Sequence, residues 1–386
     1  MKLEGVRVVD LSLFLPGPML TLMMADHGAE IVKIEPRGEG EPTREIGYRK
    51  NGESVWFRNT HRGKKSLQLD LKTDEGREIF LRLVKNAHVV VEAFRPGVVK
   101  RLGVDYDAAR AVNPAIVYCS ISAFGQTGRY VARPAHDLAV QALAGVVALN
   151  EGQDGRPAMP HMPVADALAS LTALSGVLMA LLRARETGKG DYLDIAMLDS
   201  VLAWTPNITG RIFATGLPHV PKEERSWGGN AFYNLYDCAD GAWIALGGAE
   251  LKFAKELLGS LGRLDLAPLA ALPPGAGQVA LRGFLRETFR SRPRSEWLSW
   301  LADKDVAYAP VNTLQEAFDD PNTAERGMLQ FDSEGNEIVG TPIKFADEPA
   351  SIDPRVPTKG GDADSILAGL GYTEPEIDSL RTRGVI

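Results

Sequence analysis

A histidine and an aspartate stand side by side in RPAHDLAVQALAG, residues 133–145, at the head of an apolar helical run. His136 has the one side chain whose ordinary pKa lies near neutrality, so it is suited to moving a proton. The same residue also fits a helix cap or a satisfied core histidine. Asp166 opens a second apolar run, PVADALASL. A carboxylate there favours the first turn of a helix, where unpaired N–H groups and the helix dipole attract it. It can also face a substrate, because helix starts border clefts in α/β folds. Glu250 follows a glycine-rich strand end and reads in the same two ways.

Positive side chains collect in the first hundred residues: Arg37, Arg58, Arg62, Lys64, Lys65, Lys72, Arg95, Lys100 and Arg101. Such groups hold phosphates by charge-assisted hydrogen bonds; a solvated face is the plainer reading of any single one. The turn after the first strand is SLFLPGPM, without the GxGxxG glycines of a nicotinamide or flavin site. The chain has no GxxxxGK[ST] loop, no HExxH and no GxSxG. Its two cysteines, Cys119 and Cys238, offer neither a disulfide framework nor a cysteine-rich metal site.

The elements that must position these residues alternate. VRVVDL (6–11), EIVKIE (30–35), HVVVEAF (88–94), AIVYCSISAF (115–124) and DYLDIAML (191–198) read as strands. Residues 18–28, 73–86 and the long 165–190 read as helices, the last stopped at Gly188. The alternation predicts an α/β fold: an open, mostly parallel, Rossmann-like sheet with helices on both faces. The pattern changes after 216, where a proline-, glycine- and charge-rich linker leads to two strand-like runs joined at Asp240-Gly241, a hairpin signal. Helical segments follow at 250–261 and 276–303, then an extended tail and a last short helix. The expected organisation is a large domain over 1–215, a smaller α+β domain over 225–310, and a segment 311–386 that rejoins the first.

With 386 residues, 45% of them hydrophobic, the chain has material for two cores. A net charge of −7 argues against non-specific nucleic-acid binding. The cysteine content fits a reducing cytoplasm. The first residues lack the basic and apolar regions of a signal peptide, and no run of about 18 uninterrupted apolar residues announces a membrane span.

Over nearly its whole length the sequence resembles the family III CoA-transferase superfamily, which includes the α-methylacyl-CoA racemases. The resemblance rests on the order of GVRVVDLS…PGP, DHGAEIVKIEPRGEGEPTR, THRGKKSLQLDLKTDEG, EAFRPGVVKRLGVDY, NPAIVYCSISAFGQTG, RPAHDLAVQALAG, PVADALASL, ETGKGDYLDIAMLDS and WGGNAFYNLYDCADGAWIALGG. It implies an acyl-CoA enzyme whose CoA thioester is the substrate, with no permanently bound cofactor and no metal. It also implies two chains interlocked as a homodimer. In the transferases one aspartate attacks the thioester, forming a mixed anhydride and then an aspartyl-CoA thioester; Asp166 takes that position. In the racemases a histidine of a GHD motif and the same aspartate flank the α-carbon, and a glutamate of the small domain supports the histidine. His136 and Glu250 fall on those positions, with Asp137 and Tyr233 as neighbours. Lys72, Arg95 and Arg101 match CoA-holding positions, and Arg37 lies one residue out of step with another.

This chain reads AHD for GHD, and ALAS (167–170) replaces the glycines that follow the racemase aspartate. PVAD is transferase-like, whereas GAE at 248–250 is racemase-like. The loop that some transferases close over the nucleophile is reduced to GGN (228–230). A racemase needs a base on one face of the α-carbon and an acid on the other, which would employ His136, Asp166 and Glu250 together. Transfer needs Asp166 alone and leaves the other two idle. The sequence therefore favours racemisation or epimerisation of an α-methylacyl-CoA, with CoA transfer between carboxylic acids as the alternative.

Overall fold

Six short strands carry the fold: β1 (Arg7–Asp10), β2 (Glu30–Glu35), β3 (Lys65–Gln68), β4 (Val89–Glu92), β5 (Val117–Ser122) and β6 (Tyr192–Ala196). The computed structural model describes residues 1–152 and 154–386. All six strands pair in parallel, in the order β3-β2-β1-β4-β5-β6. Strands β4 and β5 are buried at every position, as a parallel sheet covered on both faces requires. The order reverses direction between β1 and β4, and α/β sheets bind ligands beyond the strand C-termini at such a point. Strand β3, in KSLQ, went unread in the sequence because it is only four residues long and opens on Lys65, directly after Lys64.

The helices α1 (Pro16–Asp26), α2 (Asp74–Lys85), α3 (Asp137–Leu143) and α4 (Val164–Thr187) belong to the same unit. Thr73 caps α2 by accepting from the Gly76 N–H. Ile79, Phe80, Leu83 and Val84 recur at helical spacing and are buried in one core cluster. Helix α4 buries Ala165, Ala169, Ala173, Val177, Leu181 and Ala184 along one stripe of mostly small residues. Gly188 ends it with a positive φ of 68°. Two residues on, Gly190 lies so close to β5 that a Cβ would stand 1.9 Å from the Ile116 carbonyl oxygen. By length and composition α4 could cross a membrane. The sequence scan for unbroken apolar runs passed over it because Ser170, Thr172 and Ser175 interrupt the run. Here its buried stripe joins the core of the sheet.

The chain divides into two compact units, Met1–Val147 with Pro160–Thr205 and Pro321–Ile386, and Ala148–Met159 with Pro206–Asp320. The second unit thus takes in residues 148–159, an excursion the sequence does not announce. An isolated bridge between Glu151 and Pro157 and a hydrogen bond from Lys222 Nζ to the Gly152 carbonyl (3.3 Å) hold it there. Its sheet pairs β7 (Tyr233–Asp237), β8 (Trp243–Gly247) and β9 (Tyr308–Pro310), antiparallel throughout. The Asp240-Gly241 turn joins β7 to β8, with Gly241 at φ 77°. Around this sheet lie α5 (Leu251–Ser260), α6 (Val279–Phe289) and α7 (Arg294–Leu301). The single helix expected over 276–303 breaks at Pro293, which lacks an N–H and sits in extended conformation.

The chain returns to the first unit at Pro321, and its residues beyond 350 cover the β3 edge. Gly63 N–H donates to the Arg355 carbonyl and Asp70 N–H to the Val385 carbonyl, both at 2.8 Å. The Asp362 carboxylate accepts from Ser66 N–H at 2.8 Å. Helices α8 (Ala363–Gly369) and α9 (Glu374–Thr382) add Ile366, Leu367, Ile377 and Leu380 to the core. The one short helix expected there is two.

Candidate active site

A cavity of about 500 Å³ opens at the switch point of the large sheet. Leu13, Phe14 and Pro16 after β1 line it, with Ala93–Pro96 after β4, Ile121–Gly125 at the end of β5 and Met197 after β6. His136 and Asp166 close it from the starts of α3 and α4, with Arg133 beside them.

The adjacent His136 and Asp137 divide their work. His136 is the N-cap residue of α3, in extended conformation, and its ring makes no capping bond. It meets the Phe14 ring edge-on at 5.8 Å. No hydrogen-bond partner of its imidazole is found among the described residues. Asp137 turns away from the cavity. Its Oδ1 accepts from Ala165 N–H at 2.8 Å and from Asp166 N–H at 3.2 Å, capping α4 from another helix. Its Oδ2 accepts from Gln141 Nε2 at 2.6 Å, and the same Gln141 nitrogen reaches the Met162 carbonyl at 3.0 Å. The expected substrate neighbour is thus occupied in joining α3 to α4. Pro163, at the N-cap position of α4, has no side chain that could do this.

Asp166 sits in the first turn of α4. Burial, and then the negative Asp137 beside it, push its carboxyl up to about 7. At neutral pH it therefore exists in comparable ionised and protonated forms. One turn on, Ser170 Oγ donates to the Asp166 carbonyl and to the Pro16 carbonyl, both at 2.8 Å, pinning this turn to the start of α1.

The Leu13–Phe14 wall rests on a buried polar lattice. Phe14 takes a left-handed φ of 65°, rare for a residue with a side chain. Its N–H donates to Glu41 Oε1 at 2.9 Å. Glu41 Oε2 lies 3.2 Å from Lys33 Nζ, and that ammonium also donates to the Ser12 carbonyl. Asp10 accepts from Ser12 Oγ at 2.5 Å and Thr21 Oγ1 at 2.6 Å, with Lys64 Nζ at 3.3 Å. Burial opposes charge on Asp10, yet Lys33, Lys64 and these hydroxyls win and hold its carboxyl at about 2. Burial lowers Lys64 to about 8. Burial, then Lys64 and Lys33, keep His61 well below the usual imidazole range. Removing one member of such a lattice leaves an uncompensated buried charge, so it fixes the loop rigidly.

Beneath the β4 loop, Glu92 is buried and accepts from Phe94 N–H at 2.8 Å. Burial pushes its carboxyl up to about 7. Phe14, Glu41, Glu92 and Arg133 are the site residues that sequence reading passed over.

Of the basic positions singled out, Arg95 lines the cavity. Arg37 and Lys72 are exposed in the turns after β2 and β3, and Arg101 is exposed on the short helix Val98–Leu102 after the Arg95 loop. All follow the C-terminal ends of strands, the same edge as the cavity. Glu250 and Tyr233 belong to the second unit. Glu250 is the exposed N-cap residue of α5, without a side-chain cap bond. Tyr233 is half-exposed and pairs with Gly247, three residues before Glu250. Among the described residues no group of three histidine, cysteine or acidic side chains could hold a metal ion.

Comparison with known proteins gives this site its context. The chain is 33% identical to the acetyl-CoA:oxalate CoA-transferase of Acetobacter aceti, over 89% of each chain. It is 29% identical to the α-methylacyl-CoA racemase of Homo sapiens, over 100% of this chain and 98% of the other. The crystal structure of a CAIB/BAIF family protein from Brucella suis superposes with a TM-score of 0.82 at 30% identity, covering 95% of this chain and 99% of that one. The family model for CoA-transferase family III matches residues 3–363, and the chain belongs to that family of enzymes.

Proposed function

We propose that this protein transfers CoA between carboxylic acids, with Asp166 as the attacking carboxylate. The observation that carries the reading is the unequal preparation of the two cavity residues. Asp166 is held at the head of α4 by Asp137 and Ser170, with a carboxyl at about 7, whereas the His136 imidazole meets an aromatic edge and, among the described residues, no hydrogen-bond partner. A two-base racemase needs an oriented imidazole; a transferase needs one well-placed carboxylate. The relatives found are mostly CoA-transferases, which supports the same reading.

In this mechanism the Asp166 carboxylate attacks the thioester carbonyl, the C–S bond breaks, and CoA leaves as thiolate. The thiolate then attacks the Asp166 carbonyl of the mixed anhydride, giving an aspartyl-CoA thioester and the free donor acid. An acceptor carboxylate reverses the two steps and leaves as its CoA thioester, with Asp166 restored. The raised pKa makes Asp166 a stronger nucleophile when ionised. Arg95 at the cavity, with Arg37, Lys72 and Arg101 on the same sheet edge, is suited to the phosphates of CoA. The enzyme works as a cytoplasmic homodimer, and its CoA thioester is substrate rather than resident cofactor.

Racemisation of a 2-methylacyl-CoA is the second reading, favoured by His136 and Asp166 sharing one cavity. Incubation of the purified protein with 2-methylacyl-CoA in deuterated water, with and without added carboxylic acids, separates them. Formation of a new acyl-CoA only with an acceptor acid supports transfer. Deuterium at the α-carbon without an acceptor, and no transfer, overturns it.

A further inference from the structure

The segment IEPRGEGEPTR, residues 34–44, buries three charged side chains, Glu35, Glu41 and Arg44, that the reaction steps do not use. Glu41 Oε1 takes the Phe14 N–H, and the Glu41 N–H in turn donates to Glu35 Oε2 at 2.8 Å. Glu35, at the end of β2, is gripped from its other side. Arg44 forks onto it, Nε to Oε2 at 2.8 Å and one terminal nitrogen to Oε1 at 2.6 Å, and Ser66 Oγ donates to Oε1 at 2.5 Å. Both partners are themselves fixed by the returning C-terminal segment. The other terminal nitrogen of Arg44 donates to the Pro357 carbonyl at 3.0 Å, and Ser66 Oγ accepts from the Gly360 N–H at 2.8 Å. Gly40, at φ 78°, is pressed between Glu35 and this segment: a Cβ on it would stand 2.6 Å from Glu35 Oε2 and 2.8 Å from Lys359 Cδ.

An unbroken row of hydrogen bonds thus runs from residues 357–360 to Phe14 on the cavity wall. It starts at Ser66 on β3, two strands away from β1. A chain of contacts couples distant places only when an element at its end has two states to choose between. Phe14 is such an element. A left-handed φ disfavours a residue with a Cβ by roughly fivefold to thirtyfold, so a Phe14 released by Glu41 leaves that conformation. Its ring then gives up the edge-on contact with His136.

We propose that Glu41, Glu35 and Ser66 are positioning residues of the active site, and that the C-terminal segment 357–360 completes the site by fixing Phe14 against His136 through them. The proposal rests on the reading of the cavity as the acyl-CoA site and holds for transfer and racemisation alike.

The test is a set of double-mutant cycles. Glu41→Ala and Ser66→Ala are each made in the native protein and in Phe14→Gly, because glycine takes a positive φ about as readily as a negative one and needs little holding. With Phe14 in place, Glu41→Ala should lower kcat/KM for an acyl-CoA by roughly fivefold to thirtyfold. Ser66→Ala should act in the same direction and less. In the Phe14→Gly background the factor should shrink to about twofold. Equal factors in the two backgrounds would mean that the lattice supports the fold alone; that result overturns the proposal, as does full activity of both single variants. Should Glu41→Ala fail to fold, Ser66→Ala, which loses only a hydroxyl, carries the cycle.

A second readout needs no turnover. The chain has six histidines, and carbon-13 labelling of their imidazoles gives a signal for His136 that is identified by its loss in His136→Gln. The neighbouring phenyl ring displaces that signal through its ring current. At one fixed pH, Glu41→Ala and Ser66→Ala should move it towards its position in Phe14→Gly. An unmoved signal overturns the proposal. A moved signal in a protein that turns over no acyl-CoA upholds the positioning role and faults the enzymatic reading instead.

Discussion

At the residue scale, Asp166 is held in a state that serves chemistry and costs stability. Its carboxyl sits at about 7 in the folded chain against 3.8 as its ordinary value. A carboxyl raised on folding contributes stability that is complete below pH 4 and is lost as the pH rises through about 7. Asp166→Asn, which cannot ionise, escapes that loss. The variant should show no turnover, while its melting temperature gains on that of the native protein between pH 5 and pH 8. Equal melting temperatures at both pH values would mean that Asp166 is not buried as described; residual near-native turnover would remove it from the mechanism. The native enzyme needs the ionised form, so kcat/KM should rise about tenfold per pH unit up to about pH 7 and then level. His136 and Asp166 were legible in the sequence because each opens an apolar helical run within a recognisable motif. Phe14 and Glu41 were not. The bond that holds Phe14 in its left-handed conformation spans 27 positions, and nothing local in SLFLPG marks it. Arg133 was passed over although it stands three residues from His136, because an exposed arginine before a proline looks like surface until a cavity is seen beside it.

At the element scale, the decisive contact is one helix capped by another. Asp137, first residue of α3, receives the N–H groups of Ala165 and Asp166 at the head of α4. Asp137→Ala should cost roughly 0.5–2 kcal/mol, the usual range for a lost N-cap, read as a fall in melting temperature. It should also lower kcat more than it raises KM, since the backbone under Asp166 loses its anchor while the CoA-binding edge is untouched. Asp137→Asn keeps an oxygen acceptor for the two N–H groups and removes the charge. Burial is the larger cause of the raised Asp166 carboxyl, and the Asp137 charge is the second. The acid limb of the pH–rate profile should therefore move to lower pH in Asp137→Asn without vanishing. An unmoved limb would show that burial acts alone. Most strands of the large sheet were readable, since buried parallel strands are near-continuous runs of valine and isoleucine. Strand β3, the break at Pro293 and the 148–159 excursion were not, because each is fixed by a distant partner or a single residue rather than by a periodic pattern.

At the scale of the whole molecule, α4 is the helix to probe for the proposed homodimer. Opposite its buried alanine stripe it exposes Leu171, Met179 and Leu182, with Ser175 between them at helical spacing. Exposed apolar stripes of this kind mark contact surfaces. Light scattering of the purified chain should give twice the mass of one chain, and Met179→Arg with Leu182→Arg should reduce it or render the protein insoluble. A native protein that scatters as a single chain would contradict the homodimer. The covering of β3 has a consequence of another kind, in time. The strand is complete by residue 68, but the groups that satisfy its flanks, Arg355, Asp362 and Val385, are synthesised about three hundred residues later. A ribosome adding roughly 5–20 residues per second takes about a quarter of a minute to a minute to cover that gap. Throughout that interval the nascent chain presents an unpaired parallel edge. Chaperone demand during translation, more than equilibrium stability, is then what should limit the yield of this protein in a foreign host.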